Sequence, residues 1–353
     1  MSKYWSTITR SIKPYTPGEQ PRDRRYIKLN TNESPYPPAP AVIEAIGRAT
    51  DGSLRLYPDP ECEQFRTTVA RYFGLQSNQV FPGNGSDELL AFAYFAFFDP
   101  DAAEPILFPD ITYSFFPVYA ALLRIPFERV PLRADFSVPL EPFFRPNGGI
   151  VLANPNAPTG TCLPIDAIRS ILEGNGNRVV IVDEAYIDFG GDSAAGLVPE
   201  FPNLLVIHTL SKSRSLAGLR VGFALGQAEL IEGINRIKNS FNSYTLDRLA
   251  LAGATAAMKE ESYFQAMRIK IMATRERTAE ALAAMGFTVV PSRANFIFIS
   301  HPTIPGSSLF SRLREEGILV RHFNQPRIDN YLRVTIGTDA EMDAFVETLK
   351  KLV

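Results

Sequence analysis

Short apolar segments recur through the middle of the chain, and segments with helical spacing such as Pro164–Glu173 separate most of them. The apolar segments are rich in β-branched residues and cover Ile106–Phe108, Ile150–Ala153, Val179–Val182, Leu204–His208 and Val221–Leu225. Strands that are buried on both faces are apolar at consecutive positions, so these segments predict a largely parallel sheet with helices on both faces. The pattern therefore predicts an α/β fold.

The pattern changes after about residue 226. A long helical stretch covers residues 246–285, and Gly286 is a plausible end for it. Strands are predicted at Phe287–Val290, Ala294–Ser300 and Leu332–Ile336. The run Thr338-Asp339-Ala340-Glu341 has the form of a capping box, which predicts the start of a last helix. This order of elements indicates a second, smaller α+β domain.

Residues 11–40 are rich in proline and polar side chains, which predicts an extended arm. Farther on, Asp59-Pro60 predicts the start of a helix that Gly74 ends. We therefore expect an N-terminal arm over residues 1–40 that packs on the small domain. A large domain over 41–250 and a small C-terminal domain over 251–353 complete the expected organisation.

Composition narrows the class of protein. The chain has 353 residues, 45% of them hydrophobic and 21% charged, with a net charge of −2, which argues against a general nucleic-acid or anionic-membrane binder. The two cysteines, Cys62 and Cys162, have no metal-ligand spacing, so neither a disulfide framework nor a metal site is expected. The first ten residues lack an apolar signal region, and the longest apolar run, Leu89–Phe98, is too short for a membrane span. A cytoplasmic soluble protein is the expectation.

Four motifs with chemical potential follow one another along the chain. Three of them come directly after predicted strands, namely Asn154-Pro155-Asn156-Ala157-Pro158-Thr159-Gly160, Asp183-Glu184-Ala185-Tyr186 and Thr209-Leu210-Ser211-Lys212. The fourth, Pro82-Gly83-Asn84-Gly85-Ser86-Asp87-Glu88, is a glycine turn that opens a helix, whose free amides suit an anion. Ligands of open α/β sheets bind at the carboxyl ends of strands, so the motifs predict a shared site.

Each motif alone has an ordinary explanation. A lysine between hydroxyl residues is usually a solvated loop residue, and Asp183 could be a structural acid or a magnesium ligand. The glycine turn could be a simple loop. Their order on successive strand ends is what favours a common function.

The combination resembles fold-type I aminotransferases, which use pyridoxal 5′-phosphate (PLP), and more narrowly the histidinol-phosphate aminotransferase family. The likeness covers nearly the whole chain and includes Ser211-Lys212-Ser213-Arg214-Ser215-Leu216-Ala217-Gly218-Leu219-Arg220. It implies a large PLP-binding domain with a mainly parallel sheet and a smaller α+β domain.

The resemblance implies catalytic roles for two residues. Lys212 should hold the cofactor as a Schiff base and, once released, act as general base and acid. Asp183 should pair with the protonated pyridine nitrogen and keep the ring cationic. Glu184 would point to the other face of its strand and is expected to be structural.

Other residues resemble cofactor ligands of the family. The phosphate should bind the amides of Ser86 and Asp87, the hydroxyl of Ser211 and the guanidinium of Arg220, while Gly85 permits the close approach of the backbone.

The ring of the cofactor has its own predicted ligands. Asn156 and Tyr186 resemble donors to the ring hydroxyl oxygen, and Tyr113 resembles the aromatic residue that stacks on the pyridine, although it could equally be a core aromatic. Ala157 stands where the family more often has asparagine, which leaves Asn156 in place. Two further departures, at Ser213-Arg214 and Ser240-Phe241-Asn242, concern substrate preference more than the cofactor.

The substrate side involves the arm, the small domain and a neighbouring subunit. Arg333 resembles the arginine that binds the substrate α-carboxylate, Arg321 a second anion-binding arginine, and Tyr15 and Asn32 residues that close over the substrate. Tyr57 resembles a tyrosine that reaches the cofactor phosphate of the neighbouring subunit, which implies a homodimer with a shared active site. The alternative for Tyr57 is simple packing beside a proline turn.

The resemblance implies transamination of L-histidinol phosphate with 2-oxoglutarate, which gives imidazole acetol phosphate and L-glutamate in histidine biosynthesis. Three alternatives stay open at this point. They are an aromatic amino-acid aminotransferase, a PLP-dependent threonine-phosphate decarboxylase and a non-catalytic PLP-binding regulator, although no segment for a DNA-binding module remains.

Overall fold

The protein is described by a computed structural model that covers residues 2–16 and 18–353, so Met1 and Pro17 of the predicted arm lie outside the described residues. Its strands are β1 Ile27–Lys28, β2 Val80–Gly83, β3 Ile106–Pro109, β4 Phe127–Val130, β5 Ile150–Ala153, β6 Val180–Asp183, β7 Leu204–Thr209, β8 Gly222–Gly226, β9 Thr288–Val290, β10 Phe296–Ser300, β11 Ile318–Leu319, β12 Arg321–His322 and β13 Leu332–Thr335. Its α-helices are α1 Thr7–Ser11, α2 Pro40–Ala49, α3 Glu63–Phe73, α4 Gly85–Phe97, α5 Phe116–Leu123, α6 Ile165–Gly174, α7 Ala228–Phe241, α8 Arg248–Lys259, α9 Glu261–Ala284, α10 Gly306–Glu315 and α11 Asp339–Leu352.

A seven-stranded sheet in the order β2-β8-β7-β6-β5-β3-β4 forms the larger part of the molecule. Its pairs are parallel except those that β8 makes with β2 and β7. On β5, Ile150 and Leu152 join one apolar cluster, whereas Val151 and Ala153 join the cluster on the opposite face. Both faces of the sheet are thus covered, and the predicted α/β class is confirmed.

Two strands of this sheet were not predicted from the sequence, each for a physical reason. The edge strand β2 contains Pro82 and Gly83, residues that are typical of turns and that a sheet tolerates at its edge. The other edge strand, β4, has three exposed residues, among them Glu128 and Arg129, so it lacks the continuous apolar run of the buried strands.

A four-stranded antiparallel sheet in the order β12-β13-β10-β9 forms the smaller part. Its apolar core includes Leu282 of α9, Leu309 of α10 and Phe345 of α11. The arm reaches this part, because β1 pairs in parallel with β11. The strand of the arm is continued by Leu29, whose N–H donates to the carbonyl of Leu319 at 2.8 Å.

Several predicted helix boundaries need correction. The stretch over residues 246–285 is two helices, α8 and α9, which meet at Glu260. α3 begins at Glu63 and not at Pro60, because Cys62 has a left-handed φ of 51°. The carboxylate of Asp59 still accepts hydrogen bonds from the N–H groups of Glu61 and Glu63, at 3.0 and 2.8 Å.

The predicted helix ends at Gly74 and Thr338 are confirmed. Gly74 follows α3 with a φ of 68°, and Thr338 and Glu341 form the capping box of α11. The domain boundaries after residues 40 and 250 stay predictions, and the second falls inside α8. This helix packs with α2 in the large-sheet core, to which Ala250 and Ala254 contribute.

The topology brings the motif segments together. β5, β6 and β7 run in parallel, with Ala153 opposite Asp183 and Asp183 opposite Ile207, so the segments that follow them emerge at one edge. Within residues 2–16 and 18–353, no helix has the length and apolar character needed to cross a membrane.

Candidate active site

A cavity of about 320 Å³ lies at this edge, between the large sheet, the arm and the small sheet. Its wall contains most of the residues that the sequence predicted for the site: Tyr15, Asn32, Ser86, Asp87, Tyr113, Asp183, Tyr186, Ser211, Lys212, Arg220, Arg321 and Arg333. Three predicted residues, Gly85, Asn156 and Tyr57, are not part of this wall. We call this cavity the cleft.

Lys212 follows β7 and extends its amine toward the arm, where Nζ donates to the carbonyl oxygen of Thr31 at 3.3 Å. Burial lowers the pKa of the Lys212 amine to about 8, and the nearby positive charges of Arg333 and Arg220 add to this effect. A larger share of the amine is therefore neutral near pH 7 than for an ordinary lysine. Such an amine is suited to attack a carbonyl.

Asp183 ends β6 and is 4% exposed. Burial raises the pKa of its carboxyl to about 7, and the charges of Asp87 and Glu184 act in the same direction. The N–H of Ala185 donates to Oδ1 at 3.2 Å and lowers the pKa, as does His208. A cationic ring N–H in the cleft would stabilise the ionised carboxylate, so Asp183 fits the partner of a protonated pyridine.

The start of α4 and the loop before β8 form an anion cradle. Gly85 has a φ of 77°, and a Cβ on it would lie 2.6 Å from Nη2 of Arg220. A Cβ on Gly222 would likewise meet the amide nitrogen of Ser86 at 3.0 Å. Glycine is thus required at both positions for the backbone, the helix N-terminus and the guanidinium to approach one another.

Side chains complete this cradle. Arg220 Nη2 lies 3.3 Å from the Asp87 carboxylate, and the hydroxyl of Ser211 accepts a hydrogen bond from Thr209 Oγ1 at 3.0 Å. Tyr113 donates to the other oxygen of Asp87 at 2.7 Å. Free N–H groups, a hydroxyl and a planar guanidinium together suit a phosphate dianion.

Asn156 is not part of the cleft wall, although the residues on either side of it are, and its role toward the cofactor ring stays a prediction. Its amide nitrogen donates to the carbonyl of Ile111 and to Thr159 Oγ1, both at 2.9 Å. Its Oδ1 is buried without a hydrogen-bond partner among the described residues, and its neighbours Pro155 and Ala157 lie in the cleft wall. The two cis peptide bonds of the segment, before Pro155 and Pro158, accompany this arrangement.

Tyr186 is therefore the member of the predicted donor pair that lines the cleft. Its hydroxyl accepts a hydrogen bond from Nδ2 of Asn32 at 3.0 Å, and its ring packs edge-on against Phe296 at 5.1 Å. Its own hydroxyl hydrogen remains available to an acceptor in the cleft.

Arg321 and Arg333 are paired residues on neighbouring strands, β12 and β13. Arg333 donates to the carbonyl of Asn30 at 3.0 Å, and burial lowers the pKa of its guanidinium, with Arg321 adding to the effect. Arg321 donates to the carbonyl of Thr16 at 3.2 Å. Like charges directly across a sheet are unfavourable, and a bound anion between them would remove that cost.

Three further predictions concern residues at the margin of the site. Tyr15 packs against Phe115, with ring centroids 4.3 Å apart. Tyr57 lies outside the cleft of its own chain, is 78% exposed and stacks on Tyr244. Glu184 points away from the cleft, where it accepts from the N–H of Ala194 at 2.6 Å and contacts His208.

Sequence patterns missed several residues of the cleft wall, among them Asn30, Thr31 and Glu33. They flank Asn32 in the arm, so the prediction of Asn32 as a site residue could have pointed to them. Burial would raise the pKa of Glu33, but hydrogen bonds from Lys28 and Thr31 bring it below its usual value. Thr335, which contacts Asn32 from β13, gave no signal of its own.

Comparisons with known proteins agree with this geometry. A family model described as aminotransferase class I and II matches residues 24–349. The chain is similar to histidinol-phosphate aminotransferase from Clostridium acetobutylicum, with 56% identity over 353 residues that cover 100% of both chains. It is also similar to the enzyme of the same name from Clostridium botulinum, with 55% identity over 100% of this chain and 99% of the other.

Among solved structures, histidinol-phosphate aminotransferase from Sinorhizobium meliloti in complex with pyridoxal-5′-phosphate superposes with a TM-score of 0.89 at 24% identity, over 100% of this chain and 99% of the other. At this identity the likeness concerns the fold, and the predicted fold type is confirmed. The sequence relatives and the family model together confirm the predicted resemblance. The chain belongs to the aminotransferase class I and II family.

Proposed function

We propose that this protein is a PLP-dependent aminotransferase that transfers the amino group of L-histidinol phosphate to 2-oxoglutarate. The products are imidazole acetol phosphate and L-glutamate, a step of histidine biosynthesis. Relatives with 55% and 56% identity over the full chain carry the name histidinol-phosphate aminotransferase, and this supports the proposal.

The cofactor supplies an aldehyde for the amino group and a cationic ring that accepts electrons from the substrate Cα. Lys212 would hold it covalently through Nζ, and the cradle of Ser86, Ser211 and Arg220 would hold its phosphate. Asp183 would accept the hydrogen bond of the ring nitrogen and keep it protonated. These roles are supported by the cleft position of each group and by the burial of Asp183 and Ser211.

Lys212 has a second role once the substrate amine has replaced it. Its neutral amine would remove the proton from the substrate Cα and deliver a proton on the cofactor side. The lowered pKa of this amine supports both the base and the acid role near neutral pH.

The pair Arg321 and Arg333 is the observation that carries the substrate class. Both amino donors carry an anionic group beside the amine-bearing carbon, a phosphate ester in L-histidinol phosphate and the α-carboxylate in L-glutamate, and both can use the same cationic pair. The arm closes this end of the cleft with Tyr15 and Asn32. We propose that these residues exclude water from the bound substrate.

We also propose that the protein is a homodimer with shared active sites and that it acts in the cytoplasm. The exposed, stacked Tyr57 supports the first point, because a tyrosine that does not reach its own cleft is free to reach a neighbouring one. The division into an arm, a large domain and a small domain belongs to the same proposal.

The test compares L-histidinol phosphate with L-phenylalanine as amino donor, each with 2-oxoglutarate. We expect kcat/KM to be about tenfold higher for histidinol phosphate, since a phosphate dianion can make one more charge-assisted hydrogen bond to the two guanidinium groups than a carboxylate, a difference of about 1.5 kcal/mol. A preference for phenylalanine would instead establish an aromatic amino-acid aminotransferase. Release of carbon dioxide from threonine phosphate without consumption of a keto acid would establish the decarboxylase.

Arg333→Ala is the matched variant for this test. It should lower kcat/KM for both histidinol phosphate and glutamate while the dissociation constant of PLP changes little. Equal weakening of substrate and cofactor would show that Arg333 does not act on the substrate side.

A further inference from the structure

A chain of hydrogen bonds runs from β13 across the arm to Tyr186. Thr335 Oγ1 donates to Oδ1 of Asn32 at 3.0 Å, and Nδ2 of Asn32 donates to the hydroxyl of Tyr186 at 3.0 Å. Asn32 and Thr335 are 1% and 3% exposed, so water does not compete for these groups. We call this chain the Thr335–Asn32–Tyr186 relay.

The backbone fixes the direction of one bond of the relay, because the N–H of Asn32 can only donate and is bonded to Thr335 Oγ1 at 2.9 Å. The hydroxyl hydrogen of Thr335 points to Oδ1 of Asn32, and Nδ2, which carries hydrogens, donates to Tyr186. The left-handed φ of 55° at Asn32 lets both its N–H and its side chain form hydrogen bonds with Thr335.

A further contact holds Asn32 in this orientation. Nδ2 of Asn295, just before β10, donates to the carbonyl of Asn32 at 3.0 Å. Asn32 is thus held both from β13 and from the residue before β10, and its rotation would break hydrogen bonds that are buried from solvent.

The consequence concerns the proton of Tyr186. Because the tyrosine oxygen already accepts from Asn32, its hydrogen is directed to an acceptor in the cleft. Tyr186 is the member of the predicted donor pair that lines the cleft wall, so its hydrogen is the one that the relay can direct there. We propose that Thr335 is a positioning residue that acts through Asn32 to direct the Tyr186 proton onto the ring hydroxyl oxygen of PLP.

The inference rests on the proposed function, which supplies the cofactor and the role of Tyr186. Charged groups also act on this hydroxyl from the surrounding elements. Burial raises the pKa of Tyr186, and Asp183 on β6 and Asp87 on α4 act in the same direction, whereas Arg333 on β13 acts against it. Lys212 Nζ lies 5.9 Å from the ring. The experiment must therefore change the relay and leave these charges in place.

Thr335→Val makes that change, because valine has nearly the same shape and neither donates nor accepts. The relay strengthens Tyr186 as a hydrogen-bond donor, so without the relay Tyr186 should stabilise negative charge on the PLP ring oxygen less well. With PLP held by Lys212, the proton near this oxygen would then be lost only at a higher pH. We expect the pH midpoint of the visible absorption band of the substrate-free holoenzyme to rise by about half a pH unit to one unit.

Three variants separate positioning from a structural effect. Thr335→Ser should return the midpoint to the wild-type value. Thr278→Val removes a buried hydroxyl of α9 that donates to the carbonyl of Thr274 at 2.7 Å, and it should leave the midpoint unchanged. Tyr186→Phe should raise the midpoint further than Thr335→Val does.

The double variant Tyr186→Phe/Thr335→Val tests whether Thr335 acts through Tyr186. If the relay acts through Tyr186, the double variant has the midpoint of Tyr186→Phe alone. An unchanged midpoint in Thr335→Val, or a full additional shift in the double variant, would overturn the proposal. No amino-acid substrate enters this measurement, so a donor other than histidinol phosphate would contradict the proposed function and leave the relay standing.

Discussion

At the scale of single residues, burial moves the pKa values of two ionisable groups of the proposed reaction toward neutral pH from opposite directions. The pKa of Lys212 falls to about 8 and that of Asp183 rises to about 7, because desolvation disfavours the charged form of each. The shifted amine is available as a nucleophile. The shifted acid becomes a carboxylate when a cation binds beside it.

The lowered pKa of Lys212 predicts how the cofactor-free protein reacts with PLP. Only the neutral amine attacks the aldehyde, so the rate should rise with pH through the pKa of Lys212. We expect a midpoint near pH 8 in place of the ordinary 10.5, measured by stopped-flow appearance of the visible band.

Two variants control this prediction. Lys212→Ala should form no visible band at any pH. Arg333→Gln removes a neighbouring positive charge that lowers the pKa of Lys212, so the midpoint should move upward. A wild-type midpoint near the ordinary lysine value would contradict the effect of burial.

At the scale of elements, one loop ties the small sheet to the large one. Arg327, between β12 and β13, contacts the Asp110 carboxylate at 2.7 Å and donates to the carbonyls of Leu132 and Arg133 at 2.7 and 3.1 Å. Asp110 lies just after β3 and shortly before Tyr113. Ile328, the next residue, packs in an apolar cluster with Ile111 and Leu132.

Arg327→Ala should loosen this connection and with it the position of Arg321 and Arg333 relative to Lys212. We expect a loss of about 1–2 kcal/mol in the free energy of unfolding, since the pair is partly exposed, and a rise in KM for the amino donor that exceeds the change in kcat. Urea unfolding of the holoenzyme and steady-state kinetics measure the two effects.

Arg145→Ala is the matched control. Arg145 is about as exposed as Arg327, and its ion pair with Glu128, at 2.6 Å, lies within the large-sheet part of the molecule. This variant should leave KM unchanged. The same KM for both variants would show that the contact of Arg327 does not position the substrate side.

At the scale of the whole molecule, aromatic side chains lie exposed on one surface. Tyr57, Phe241 and Tyr244 are 78%, 75% and 43% exposed, and Tyr57 stacks on Tyr244. Such exposed apolar groups favour association with another molecule. They agree with the proposed homodimer, in which Tyr57 serves the neighbouring site.

Mixing two impaired variants tests the shared site. In a hybrid dimer of Tyr57→Ala and Lys212→Ala subunits, one of the two sites combines Lys212 with an intact Tyr57. Activity at subsaturating PLP should therefore rise severalfold above that of either variant after subunit exchange. Activity equal to the average of the separate variants would show that Tyr57 does not act across subunits.

The sequence was informative about elements wherever burial was continuous. Five strands of the large sheet were predicted from apolar runs close to their observed bounds, namely β3, β5, β6, β7 and β8. The edge strands β2 and β4 did not, because an edge strand exposes polar groups or accepts proline. The break between α8 and α9 was not predicted, because neither proline nor glycine marks the boundary and both helices have a helix-forming composition.

The sequence alone determined the fold and the order of the motifs, since hydrophobic periodicity encodes buried strands and parallel strands present their ends at one edge. Tertiary structure decided which side chains enter the cleft. Asn156 donates to the carbonyl of Ile111, 45 residues away, and Thr335 joins Asn32 from 303 residues away. Local patterns place a segment, but the direction of a side chain depends on partners that only folding brings near.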